Sequence, residues 1–167
     1  MNKILVTYAT RAGSTYEIAA RVAEVLRAAE ATVDVKPVMA VHELQGYDAV
    51  VVGSAIRMGR WLPEAVEFVK TNRETLSHIP TAYFVVSGLL RNDTVEMRRQ
   101  VLAFLDPVCA LLAPVSVGLF AGKLDYRTID GFDRSISEAV SSAEGDWRNW
   151  NAIDKWAHDL LPALAHA

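Results

Sequence analysis

The stretch Thr10-Arg11-Ala12-Gly13-Ser14-Thr15 stands between an apolar, β-branched run at residues 3–8 and a helix that opens at Ser14. A strand that feeds a hydroxyl-bearing turn and then a helix N-terminus suits an anion, because backbone N–H groups, side-chain hydroxyls and the helix dipole converge on one spot. Gly13 permits close backbone approach, and Thr10, Ser14 and Thr15 supply the hydroxyls. Neither G-x-x-x-x-G-K-S/T nor a G-x-G-x-x-G follows the first strand, so the loop is no nucleoside-triphosphate cradle and no dinucleotide fingerprint. A phosphate monoester fits it. The plainer alternative is that Ser14 caps the helix, with Glu17 at capping-box spacing, and that the threonines favour a turn.

Outward from this loop, strand-like and helix-like patterns alternate along the chain. Ile18, Val22, Val25, Leu26 and Ala29 recur at helical spacing after the loop. Residues 33–38 read as a second strand near an edge. Residues 48–53, with Val50-Val51-Val52, read as a third strand buried on both faces. A helix is expected from Pro63 with Val66 and Val69 inward, and a fourth strand at 81–87. Residues 95–112 are expected to be one helix, with Val101, Leu102, Leu105, Cys109 and Leu112 on one stripe. A fifth strand follows at 115–120, and a last helix from about Asn151 carries Ile153, Trp156, Ala157, Leu160, Leu161 and Leu164. Phe132, Ile136 and Val140 suggest a further helix within residues 125–150. The alternation predicts a doubly wound α/β domain spanning residues 1–167 with helices on both faces, and its five parallel strands fit 2-1-3-4-5, one of the common orders of such sheets.

Bulk properties narrow the function. A net charge of −3, with Lys and Arg scattered, gives no electrostatic case for nucleic acid. The single cysteine, Cys109, permits no intrachain disulfide and favours an intracellular, cytoplasmic setting. The first residues lack a signal-peptide pattern, and the apolar stretch 103–122 is interrupted by Asp106, Pro107 and Pro114, too soon for the roughly 20 residues of a spanning helix. His42, His78, His158 and His166 show no metal-ligand spacing, and Ser54 and Ser87 have no paired His and Asp. No metal site and no catalytic side chain are expected. Trp147, Trp150 and Trp156 either pack the last helix or mark a partner contact.

Ligands of a doubly wound sheet bind beyond the carboxyl ends of its strands, at the point where strand order reverses. The segments expected to emerge there are Ser54-Ala55-Ile56-Arg57-Met58-Gly59, running on to Trp61, then Ser87-Gly88-Leu89, and Ala121-Gly122-Lys123. Their small residues let backbone amides reach the edge of a planar heterocycle. The Thr10–Thr15 loop resembles the T-x-T-G-x-T phosphate loop of flavodoxins, departing from it at Arg11, Ala12 and Ser14. That resemblance implies a flavodoxin-like fold and flavin mononucleotide (FMN), with the ring between the loops after strands three and four and the Gly59 peptide near the ring's N5. Trp61 is compatible with stacking on the ring or with anchoring the next helix.

Several motifs extend the likeness over nearly the whole chain. Ser54-Ala55-Ile56-Arg57-Met58-Gly59, Phe120-Ala121-Gly122-Lys123-Leu124, Phe132-Asp133-Arg134, Gly145-Asp146-Trp147-Arg148 and Ala152-Ile153-Asp154-Lys155-Trp156 resemble the menaquinone-dependent protoporphyrinogen dehydrogenase family. The resemblance implies a porphyrinogen as electron donor, a quinone as acceptor and a peripheral membrane contact. A flavodoxin-type carrier passing electrons between protein partners is the alternative, and a module that has lost its flavin is a third. The charges bear on the choice. Residues 54–61 and 87–91 hold no carboxylate, while Arg57, Arg60, Arg91 and Lys123 lie in the loops nearest the expected ring. Positive charge there stabilises an anionic reduced flavin, which makes the flavin easier to reduce than a carrier's. The same cations suit carboxylates on a substrate.

Overall fold

The computed structural model describes residues 2–124 and 145–165. The helix suggested by Phe132, Ile136 and Val140, and the Phe132-Asp133-Arg134 motif, lie outside them. The elements run β1 (Lys3–Ala9), α1 (Ser14–Ala28), β2 (Thr32–Pro37), β3 (Ala49–Arg57), β4 (Arg60–Trp61), α2 (Pro63–Thr71), α3 (Arg73–Leu76), β5 (Thr81–Val86), α4 (Val95–Ala103), α5 (Asp106–Leu111), β6 (Val117–Phe120), β7 (Lys123–Leu124), β8 (Gly145–Asp146) and α6 (Trp150–Ala165). Short 3-10 turns occupy Val38–Ala40 and Gly88–Arg91.

The main sheet is ordered β2-β1-β3-β5-β6, all parallel, with β4 hydrogen-bonded antiparallel to β3. In the numbering of the five expected strands this is 2-1-3-4-5. Val50, Val51 and Val52 of β3 are fully buried because helices cover both faces of this strand. Side chains alternate across the sheet. Ile4, Val6, Val51 and Phe84 pack against Ile18, Val22 and Leu26 of α1 and Ile153, Ala157 and Leu160 of α6. On the other face Leu5, Val50, Val52 and Tyr83 pack against Ala65 and Val69 of α2, Val101 of α4 and Val108 of α5. Cys109 is half-buried against that second layer, and burial raises its thiol pKa.

Several expected boundaries move, each for a local reason. The third strand runs on to Arg57, so Ser54-Ala55-Ile56-Arg57 lie in a strand and not in a loop. The pairing that β4 offers to Ile56 and Arg57 keeps them extended. The expected helix 95–112 is two helices. Pro107 has no N–H to bond the Ala103 carbonyl and its ring crowds that carbonyl, and α4 ends at Ala103. Leu102, expected on the buried stripe, is 43% exposed, and in α4 only Val101 is buried. Val115 also lies outside the fifth strand, which starts at Val117, although the Val115 N–H reaches the Thr81 carbonyl at 2.9 Å.

Candidate functional site

Parallel register brings four chain segments out along one edge. Ala9 pairs with Ser54, Ala55 with Val86, and Val86 with Phe120, so the loops leaving β1, β3, β5 and β6 start side by side. The chain winds from β1 to β2 on one side and to β3, β5 and β6 on the other. The reversal of strand order therefore falls at β1 and β3, beside the Thr10–Thr15 loop.

Within that loop Gly13 is the residue before the helix, in the left-handed region at φ +86°, and no side chain caps the helix there. The expected capping box does not form. The glycine carries the turn, Ser14 becomes the first helical residue, and the first α-type bond is from the Glu17 N–H to the Gly13 carbonyl at 3.3 Å. The N–H groups of Ser14, Thr15 and Tyr16 thus have no intrahelical acceptor, the condition under which a helix end takes an anion. Thr10 holds the turn by accepting the Gly13 N–H on Oγ1 at 2.9 Å, which leaves its own hydroxyl hydrogen to donate. Thr15 is fully buried, and its Oγ1 has no hydrogen-bond partner. A buried, unpartnered hydroxyl beside unpaired helix N–H groups matches the donor set a phosphate needs.

The neighbouring loop closes on the same place. A Cβ on Gly122 would stand 2.7 Å from Val86 Cγ1 and 3.1 Å from Ser14 Oγ, so only glycine lets the chain leaving β6 pass the start of α1. Ala12 is half-buried in the loop, whereas Arg11 turns outward and its guanidinium forks onto both carboxylate oxygens of Glu64 in the first turn of α2, Nη2 to Oε2 at 3.1 Å. Arg11 is the main reason the Glu64 carboxyl lies below its ordinary range.

The expected ring-facing segments separate into two groups. Met58 and Gly59 form the two-residue turn of the β3–β4 hairpin with φ of +53° and +73°, and positive φ at both central positions is the type I′ geometry that matches strand twist. Met58 is 84% exposed, and Gly59 faces Phe104 at ordinary contact distance. Gly88 has open space where a side chain would be, and Leu89 is exposed. The Ser87 hydroxyl accepts the Leu89 N–H at 3.2 Å and so shapes the turn. Ser54 is buried, donating to the Ala55 carbonyl at 2.8 Å and accepting the Leu62 N–H at 3.0 Å. Its hydroxyl is committed inside the hairpin, while Ala55, Ile56 and Arg57 are half-buried along the strand. Trp61 is 3% exposed, with its ring 5.0 Å from Tyr83, so of its two possible roles it takes the anchor.

The family model described as a flavodoxin domain matches residues 5–149, a span from β1 to the residue before α6. The chain belongs to the flavodoxin domain family. A short-chain flavodoxin associated with a bacterial microcompartment superposes with a TM-score of 0.65 at 15% identity, covering 98% of this chain and 99% of that one. Oxidised flavodoxin 2 from Bacillus cereus gives 0.60 at 19% identity, covering 98% and 97%. In sequence, this flavodoxin domain is similar to the protoporphyrinogen IX dehydrogenase (quinone) of Escherichia coli K12, 28% identical over 95% of the chain and 94% of that protein. It is also similar to the protein of the same name from Leishmania major, at 27% over 95% and 74%.

Two features of this flavodoxin domain's site were not legible in the sequence, namely the Arg11–Glu64 fork and the contacts of Arg148. Arg148 ties Glu17 in the first turn of α1 to Asp146 in β8, and its guanidinium lies 4.7 Å from the Trp150 ring centre. The paired residues are 53 and 131 positions apart, so no local pattern announces them. The tryptophans also divide. Trp156 packs on Phe84 and Phe120, Trp147 lies beneath Arg91 at 5.8 Å, and Trp150 is partly exposed.

Proposed function

We propose that this chain binds FMN without a covalent bond and serves as an oxidoreductase that takes electrons from a porphyrinogen and passes them to a quinone. The observation that carries the cofactor is the loop before α1, where the unpartnered Thr15 hydroxyl stands with the N–H groups of a helix that has no capping side chain. Thr10, Ser14 and Thr15 would donate hydroxyls, and the backbone of Arg11, Ala12 and Gly13 would line the turn. The ring would rest between the Ser54–Gly59 arm of the hairpin and Ser87-Gly88-Leu89, with Gly122 closing the near side. When bound, FMN supplies the two-electron chemistry.

The protein's own share is positioning and charge. Exposed Arg60, Arg91 and Lys123, with half-buried Arg57, surround the edge and favour an anionic reduced flavin, and the same cations suit the carboxylates of a porphyrinogen. Support for the substrate class comes from the two protoporphyrinogen dehydrogenase relatives that align along 95% of the chain. No helix among the described residues is long and apolar enough to cross a membrane. A lipid-soluble quinone would be met by peripheral contact, and the exposed Met58 and Leu89 beside the cationic rim suit an anionic lipid surface on the cytoplasmic side. The deciding experiment mixes the FMN-loaded protein anaerobically with protoporphyrinogen. Flavin absorbance should bleach and then return on adding a quinone. Bound FMN that stays oxidised, with a strongly negative midpoint potential, would favour the carrier instead.

A further inference from the structure

Arg148 is almost enclosed, with its side chain 8% exposed, and among the described residues its side-chain hydrogen bonds go to Asp146 and Glu17. Its fork closes on Asp146, Nε to Oδ1 at 2.9 Å and Nη2 to Oδ2 at 2.7 Å, while Nη1 bonds the Glu17 carboxylate. Asp146 pairs across the β7–β8 ladder with Lys123, the residue after Gly122, and the Trp147 N–H bonds the Gly122 carbonyl at 3.2 Å. Gly122 in turn borders Ser14. A closed circuit therefore runs from the first turn of α1 through Glu17, Arg148 and Asp146 to Gly122, and back to Ser14.

The circuit places two carboxylates, Glu17 and Asp146, around a turn whose task is to receive a dianion. Uncompensated, each would oppose that dianion, and the guanidinium held between them offsets one of their two charges. Resting on the FMN reading above, we infer that Arg148 is a positioning residue for the phosphate end of the site. It shields the incoming phosphate from Glu17 and Asp146 and straps the Gly122 segment against the start of α1. The shielding is specific to a charged ligand. A flavin without phosphate feels the strap but not the shield.

That difference supplies the test. Dissociation constants for FMN and for riboflavin are measured by flavin fluorescence on flavin-free protein, for the wild type, Arg148→Gln, Glu17→Gln and the double variant. Arg148→Gln should weaken FMN roughly three- to tenfold more than riboflavin. Glu17→Gln alone should raise FMN affinity relative to riboflavin, any loosening of the strap acting on both ligands alike, and the double variant should recover much of the lost FMN-to-riboflavin ratio. High salt should shrink all these differences. If Arg148→Gln weakens both ligands equally, or neither, the shielding role is wrong even though FMN binds. Should Arg148→Gln fail to fold, Glu17→Gln decides alone, and an unchanged FMN-to-riboflavin ratio overturns the proposal. A wild type that takes up neither ligand refutes the FMN reading itself, and the role of Arg148 falls with it.

Discussion

At the scale of single residues, two hydroxyls make a controlled comparison. Thr7 and Thr15 are both fully buried, and neither Oγ1 has a partner. Thr7 lies within β1 between buried Val6 and half-buried Tyr8, whereas Thr15 belongs to the first turn of α1. Replacing either by the isosteric valine removes an unpaired polar atom and should stabilise the flavin-free protein by about 1 kcal/mol. Only Thr15→Val should also weaken FMN, by roughly tenfold if one hydrogen bond to a charged oxygen is lost. Thermal melts with and without FMN check both halves. If Thr15→Val binds FMN as well as Thr7→Val does, the Thr15 hydroxyl is not a ligand. The importance of the residue was legible in the sequence, because a hydroxyl beside glycine at a strand-to-helix turn has a chemical meaning of its own. That its partner is missing could be seen only once the surrounding atoms were placed.

At the scale of elements, the β3–β4 hairpin is the part the sequence misreads. A loop was expected where the chain continues in β3 to Arg57 and turns back through Met58 and Gly59. Methionine is a poor residue for φ of +53°, so the turn is held from outside. The holding residue is Trp61, paired to Ile56 and packed edge-on against Tyr83, and the Leu62 N–H on Ser54 Oγ adds a second tie. Trp61→Ala should therefore cost about 3–5 kcal/mol in urea unfolding. Trp61→Phe should cost far less, roughly 1 kcal/mol, since the buried Nε1 it removes has no partner. Full stability in Trp61→Ala with loss of flavin binding would instead make Trp61 a ring-stacking residue. Helices were more legible than this hairpin. Apolar stripes of five and six residues announce α1 and α6, whereas a two-residue strand has no period to read.

At the scale of the whole molecule, carboxylates are held by hydrogen bonds and ion pairs, some of them local and some, such as Arg11–Glu64 and Arg21–Asp154, joining elements distant in sequence. Tyr47 lowers the pKa of Asp34, Arg11 that of Glu64, Arg98 that of Asp93, Arg148 that of Asp146 and Arg21 that of Asp154. A carboxylate with a lowered pKa binds its proton less readily folded than unfolded. Its contribution is therefore present above the ordinary carboxylate range of about 4 and lost as pH falls through the folded values. Tyr47, pushed up to about 12 by burial and then by Asp34, acts in the other direction, its contribution fading as pH climbs from about 10 towards that value. The urea midpoint should stay level near neutrality, drop below about pH 4 and drop again above about pH 10. A midpoint that rises on acidification would contradict these pairings. The sequence by itself determined the alternation of strands and helices and the hydroxyl-bearing turn between the first strand and the first helix. Those follow from periodicity and from local donor chemistry within a few residues. Only the tertiary structure decided which cation meets which carboxylate, where β3 turns back, and that Arg148 lies between Glu17 and Asp146. The long-range pairings among them, Arg11–Glu64, Arg21–Asp154 and Arg148–Glu17, depend on packing between segments far apart along the chain, and neither hydrophobic period nor turn chemistry encodes them.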